Sequence, residues 1–470
     1  MSGLFASLNN SVQALTAQSR AIEITGKNLA NVNNPDYARQ RVLLGTRGMI
    51  QTPQGPESMG LSALALQQMR DALLDQQVLR ESSLTAGYQA EQSAYQRAEA
   101  GLGQGINGAQ SSSGASSTSD NGIAAALDDF FNAFQSLAAS PTDAGQRQTL
   151  IQNASILTDR LQLADQRLTQ VSSDLDTQVS TDVNTTNRLL QTVADLNSQI
   201  FRFEINAPGS AVDLRDQRQA AIQQLVGKLP VETQTTATGQ FQVYAKDSTG
   251  AKVILVDGAN VQGSDAFTGT QITGGTAATA LDLKSGSIHG ALTARDGAVK
   301  TLRDNLDQLS LQLVTSVNKA YNPTGATGNF FNAAGTTAGT IAVASGVNSS
   351  TLKASDGGPA GDNTVALAIA ALASTKFSTA AGDTINGTLG SFFSSAVSNL
   401  GQAVAGATAR ASDQAGIETL VRGQRDAVSG VSLDEETANL LKYQRAYQAS
   451  ARVFTTIDAL LDTVINHLGT

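Results

Sequence analysis

Apolar residues recur every seven positions at both ends of the chain. Near the start, Leu8, Leu15, Ile22 and Leu29 keep this spacing with Leu4, Phe5 and Val12 beside them, which draws one stripe along a helix of about 45 Å. The second seam thins to Ser19 and Gly26. The stripe stops at Asn28-Leu-Ala-Asn-Val-Asn-Asn-Pro35, where the Asn side chains compete for the backbone and proline forbids continuation, so the chain must turn. A short extended segment, Tyr37 to Leu44, is expected next. At the other end Leu433, Leu440, Tyr447, Phe454, Leu461 and Leu468 hold the same spacing, with Tyr443, Ile457 and Val464 on a second seam broken at Ser450. Ser432 followed by Glu435 reads as a capping box. Asp434, Glu435 and Glu436 place negative charge where the helix dipole is positive, so a helix starts near Leu433.

Helical periodicity also runs through residues 62–100, 123–139 and 142–205, the last with Leu161, Leu168 and Leu175 and then Leu189, Leu196 and Phe203 at heptad spacing. The Gly/Ser-rich stretch from Gly101 to Gly122 reads as a flexible joint. One more helix covers 213–227. Gly239 to Ala245 and Lys252 to Val256 flank Asp247-Ser-Thr-Gly250 as strand, turn, strand. Helices return at Leu292–Val317, Val365–Ala373 and Phe392–Val428. The fold class expected is mainly α with a smaller β-rich part. Discontinuous domains are expected: residues 1–40 and 430–470 as a terminal coiled-coil pair, and 41–227 with 286–429 as a long helical-bundle rod. The rod would carry an irregular insert at about 322–363, and 228–285 would form an inserted outer β domain.

Composition narrows what such a chain can do. Its 470 residues are 41% hydrophobic, enough for sizeable cores. A net charge of −9 gives no electrostatic grip on nucleic acid or an anionic membrane. There is no Cys, hence no disulfide framework or thiolate metal site. No run approaches the ~20 apolar residues that span a bilayer, and the N-terminus lacks the pattern of a cleaved signal peptide. His289 and His467 are the only histidines, and neither has metal-ligand spacing. Gly103-Gln-Gly-Ile-Asn-Gly108 follows a helix and lacks the strand that a dinucleotide loop needs. Asp128-Asp129 and Asp434 to Glu436 fall in or near the first turns of helices, where the dipole accounts for them. No catalytic, cofactor-binding or metal-binding residue is therefore assigned.

The terminal helices invite a different use. If the chain ends lie together, the two helices run antiparallel, and a single pair leaves apolar faces of about 45 to 55 Å uncovered. Sister molecules would cover them, and a head-to-tail contact that does not close builds a helical tube. The candidate interface is Leu8, Leu15, Ile22 and Leu29 with Leu433, Leu440, Tyr447, Phe454 and Leu461, plus the turn residues Asn31, Asn34, Pro35 and Tyr37. The competing reading is that these residues pack only within one subunit. Both termini are expected to be largely disordered in a free monomer and to fold when a neighbour buries them.

Asn28 to Gln40, in full Asn-Leu-Ala-Asn-Val-Asn-Asn-Pro-Asp-Tyr-Ala-Arg-Gln, is similar to the N-terminal signature of flagellar rod, hook and hook-associated proteins. The closing run from Ser429 to Ala449, with Ala451-Arg-Val-Phe454 and Leu460-Leu-Asp-Thr-Val464, resembles the hook-associated protein 1 family. So do Ala125 to Arg147, Asp213-Leu-Arg-Asp-Gln-Arg218 and Gly290 to Asn318. Asp36 departs from the Gly common in the family, although Asp also tolerates a left-handed backbone. The resemblance implies a structural, cofactor-free subunit exported unfolded through the flagellar type III channel and placed in the extracellular flagellum between hook and filament. It implies as partners further copies of itself, the hook protein, the second junction protein and a cytoplasmic export chaperone on the C-terminal helix. Rival readings are a hook or distal rod subunit, an axial scaffold with an enzymatic insert within 228–390, and an adhesin or secreted effector using 228–285.

Overall fold

The computed structural model describes residues 2–46, 48–52, 55–58, 60–102, 122–325, 328–359 and 361–464. The joint expected between Gly101 and Gly122, with its Gly103 to Gly108 motif, falls almost wholly outside them, as do His467 and Leu468. The described residues are 63% helical, which fixes the mainly-α class. It divides into two units. The first comprises 1–85, 183–286 and 414–470, and the second 86–182 and 287–413.

Helix α1 is Ser2–Ala30. It leads into strands β1 (Gln40–Thr46), β2 (Met49–Thr52), β3 (Gly55–Ser58) and β4 (Leu61–Gln68). β1 pairs antiparallel with β4, with a register shift at Leu43/Leu44, and β2 pairs with β3. The helix expected from residue 62 therefore starts later, as α2 (Ala72–Leu102). Leu61 to Gln68 is built of good helix formers, but β1 supplies an edge that satisfies its backbone, so pairing overrides propensity. Asp71 marks the true start, its Oδ1 accepting from the N–H groups of Leu73 (2.8 Å) and Leu74 (3.2 Å).

Then come α3 (Ile123–Ala139), α4 (Ala144–Glu204) and α5 (Val212–Val226). β5 (Glu232–Thr235), β6 (Phe241–Lys246), β7 (Lys252–Asp257) and β8 (Asn260–Val261) form one four-stranded sheet in sequence order. β9 (Ala266–Phe267), β10 (Ile272–Gly274) and β11 (Thr279–Ala280) form a second, with β10 central. The turn between β6 and β7 closes as expected: Asp247 Oδ1 accepts from Thr249 N and Ala251 N, and Gly250 takes φ 83°.

The last helices are α6 (Gly286–Ala294), α7 (Lys300–Tyr321), α8 (Thr364–Ala371), α9 (Leu389–Ser429) and α10 (Leu433–Asp462). The helix expected over 292–317 is interrupted by a π-helical turn, Arg295–Val299, where Gly297 leaves helical geometry (φ −91°, ψ −113°).

The second unit has a dense core. Phe130, Phe134, Phe330 and Phe331 are fully buried with ring centroids 4.9–5.8 Å apart. Leu161, Leu168 and Leu175 on α4 are also fully buried. The irregular segment after α7 delivers Phe330 and Phe331. Asn318 fixes it, donating from Nδ2 to Phe331 O (3.0 Å) and accepting from Phe331 N (2.9 Å). The α4 heptad lapses at its end. Leu196 is buried, but Phe203, expected on the same stripe, is 69% exposed, as are Phe201 at 70% and Ile205 at 68%.

Candidate assembly interface at the chain ends

The turn after α1 is a set of Asn side chains standing in for backbone partners. Asn31 Nδ2 donates to Lys27 O (2.9 Å), and Asn34 Oδ1 accepts from Asp36 N (3.2 Å). Asn28 is the hub. Only 1% exposed, it fills all four of its hydrogen-bonding positions. Its Nδ2 donates to Gln40 O (2.9 Å) and Glu436 Oε2 (3.0 Å), and its Oδ1 accepts from Tyr37 Oη (2.8 Å) and Gln40 N (3.0 Å). One side chain thus ties the end of α1 to the start of β1 and the start of α10.

Arg39 completes the junction. Its Nε and Nη2 both reach Glu436 Oε1 at 2.7 Å, and Nη1 reaches Glu435 Oε2 at 2.6 Å. The Glu436 side chain is only 3% exposed. Burial alone would lower the Arg39 pKa, but the Glu436 and Glu435 carboxylates outweigh it and hold the guanidinium charged. Dipole compensation therefore does not fully account for the acidic trio: two of its members hold an arginine from the other end of the chain. The expected capping box is half made. Ser432 Oγ accepts from Glu435 N at 3.4 Å, while the Glu435 carboxylate goes to Arg39.

A second ring of charge braces the turn. Arg70 holds Asp216 (2.6 Å) and Asp75 (3.0 Å), and Asp213 accepts from Lys27 (2.7 Å) and Gln40 Nε2 (2.9 Å). Burial pushes the Asp216 carboxyl up to about 6, even against Arg70. Burial, then the charges of Asp216, Asp213 and Glu436, push the Tyr37 phenol well above its ordinary range, so it stays a donor. Arg425 Nη2 donates to Pro35 O (3.2 Å).

The end of α1 meets the start of α10, and Gln18 faces Lys442 and Tyr443 across a depression of about 330 Å³, so the two helices are antiparallel. Along α1 the most deeply covered residues are Ala17, Ala21, Ile24, Thr25 and Asn28, while Leu8, Leu15, Ile22 and Leu29 are half-buried. On α10, Leu461 is buried, Leu440 and Phe454 half-buried, and Tyr447 and Leu433 exposed. Among its 30 residues only Glu436 and Leu461 are buried. Leu433, Leu441, Val453 and Leu460 are each 50–57% exposed, and Phe5 and Val12 flank the α1 stripe on open surface.

Asn31, Asn34, Pro35 and Tyr37 come together, lining a depression of about 480 Å³ with Gly430 and Glu435. Asn34 and Pro35 are exposed there, and Asn31 and Tyr37 half-buried. Sequence reasoning placed Asn28 only in the run that stops the first helix and Glu436 only against the helix dipole, and it assigned no role to Arg39. A signal existed for Glu436, an acid four residues before Leu440 on an apolar stripe. Among the described residues no cluster of His, Asp or Glu could hold a metal ion, and no helix is long and apolar enough to cross a membrane.

Residues 111–331 match the family model described as the flagellar hook-associated protein FlgK helical domain, and 424–467 match the C-terminal part of flagellar basal body rod FlgEFG proteins. Helices paired from the two chain ends, in a chain with both matches, define a structural protein of the flagellar axis. Flagellar hook-associated protein 1 of Bacillus subtilis is 26% identical over 100% of this chain and 99% of its own length, and that of Escherichia coli 23% over 98% and 99%. The solved flagellar hook junction protein FlgK of Burkholderia pseudomallei shares the fold, with a TM-score of 0.61 and 14% identity over 75% of this chain and 100% of that one. Over its whole length the chain is similar to flagellar hook-associated protein 1, and its helical segment matches that family's model.

Proposed function

We propose that this chain is a structural subunit of the hook–filament junction that polymerises through the faces of α1 and α10 its own fold leaves open. The observation that carries this reading is α10, a helix of 30 residues with two of them buried. Burying the remaining apolar surface of Leu433, Leu441, Val453 and Leu460, already half-covered, contributes about 1 kcal/mol each. Sister copies that all present the same faces can repeat that gain along a helical array. The interface comprises the heptad residues of both helices together with the Asn31 to Tyr37 turn. The hook protein and a second junction protein are the neighbours along the axis, and an export chaperone holds the C-terminal helix before type III secretion.

The match of residues 424–467 to rod proteins keeps one alternative, a hook or distal rod subunit. Deletion in the native cell separates the two. A junction subunit leaves hooks intact, removes filaments and releases filament subunits into the medium. Loss of the hook itself refutes the junction reading.

A further inference from the structure

Asp265 sits between β8 and β9, 4% exposed, with neither carboxylate oxygen hydrogen-bonded. Its backbone is clamped: Asp265 N donates to Asn187 Oδ1 on α4 (2.8 Å), and Asn187 Nδ2 donates to Asp265 O (2.9 Å). The side chain turns toward β10. A Cβ added at Gly274 would come within 2.5 Å of Asp265 Oδ1, 3.0 Å of Leu255 and 3.2 Å of Leu281. The carboxyl therefore shares an apolar slot with Leu255 of β7, Leu281 and the bare backbone of Gly274. These elements and Asn187 of α4 bring no charged group to it, and burial alone pushes its pKa up to about 7. A carboxylate there lacks the partner that buried charge requires, whereas a neutral carboxyl is tolerated.

We propose that the proton on Asp265 decides whether segment 262–281 stays docked on α4: the neutral carboxyl keeps the segment closed, and the ionised one draws the loop out to water. The β9–β10–β11 sheet then becomes a proton-dependent latch within the first unit. The folded pKa lies above the unfolded value of 3.8. Closure is therefore firmest below that value, weakens as pH rises toward about 7, and changes no further above it.

Hydrogen exchange by mass spectrometry on the full chain, corrected for intrinsic exchange, tests this from pH 4 to 8. Thr268 N and Leu281 N, bonded to Gln271 O and Ile272 O, are the reporters. Their opening constant should rise about tenfold per pH unit between about 4 and 7 and then level off. The β6–β7 amides should not follow. Asp265→Asn should remove the slope, and Asp265→Leu, which leaves no polar atom in the slot, should remove it and tighten closure. A flat profile in the unaltered chain, or the same slope in either variant, overturns the proposal.

Discussion

Helices α7 and α10 carry nearly the same share of large apolar residues, eight of 22 and ten of 30. They use them in opposite ways. α7 buries nine residues, including Leu302, Leu306, Leu309, Leu313 and Val317, and ends at Tyr321 against Phe330. α10 buries Glu436 and Leu461 alone. An apolar stripe fixes how much surface must leave water, but not which chain covers it. In α7 the covering groups lie in the same chain. In α10 the best-covered group at the start of the helix is a charge, held by Arg39 and Asn28. α10 is thus held by a polar pair at its start and by Leu461 near its end, with most of its apolar residues only partly covered, which is the feature the proposed docking on a sister copy uses.

The contrast can be broken first on its packed side. Phe130→Ala removes a fully buried ring in contact with Phe131, Phe134, Phe330 and Phe331, and should cost about 3–5 kcal/mol. Denaturant unfolding of the second unit measures it. A loss under about 1 kcal/mol would mean that this core does not hold the unit. Glu436→Ala comes next at about 2 kcal/mol, because it leaves the half-buried Arg39 with Glu435 alone and takes one acceptor from the buried Asn28. Exchange protection at the end of α1 and the start of α10 should fall together. Unchanged protection would show that the polar junction does not set the pairing.

A smaller effect is expected at Glu204, which accepts from Arg215 (2.6 and 2.8 Å) and from Ala211 N (3.1 Å). Burial would raise its pKa, but these donors outweigh it and hold the carboxyl below its usual range. A depressed folded pKa stabilises above the unfolded value of 4.5, and that contribution is lost as pH falls through the folded one. Glu204→Gln should therefore cost about 1 kcal/mol at pH 7 and nothing in strong acid. Equal costs at both pH values would show that charge plays no part.

Much of this architecture could be read from the sequence where one local signal sufficed. The α3 bounds, the Leu433 start of α10 and the β6–β7 turn each follow from periodicity plus a cap or turn residue within a few positions. What escaped depended on distant partners. Leu61 to Gln68 reads as helix until β1 is beside it, and Phe203 reads as core although its stripe has outrun its neighbours. The junction of Asn28 and Arg39 with Glu436 joins residues some 400 positions apart, which no periodicity can register.

The gentlest substitution is also the one that bears most directly on α10. Leu441 is 57% exposed, so Leu441→Asp should move the melting of the purified chain by no more than about 0.5 kcal/mol. In an assembled array the same carboxylate would be sealed from water without a partner, at a cost of several kcal/mol per subunit. Polymerisation followed by sedimentation should therefore fail while the melt stays put. If the variant assembles normally, Leu441 is only one of the leucines that every protein surface carries, and the contrast with α7 loses its meaning.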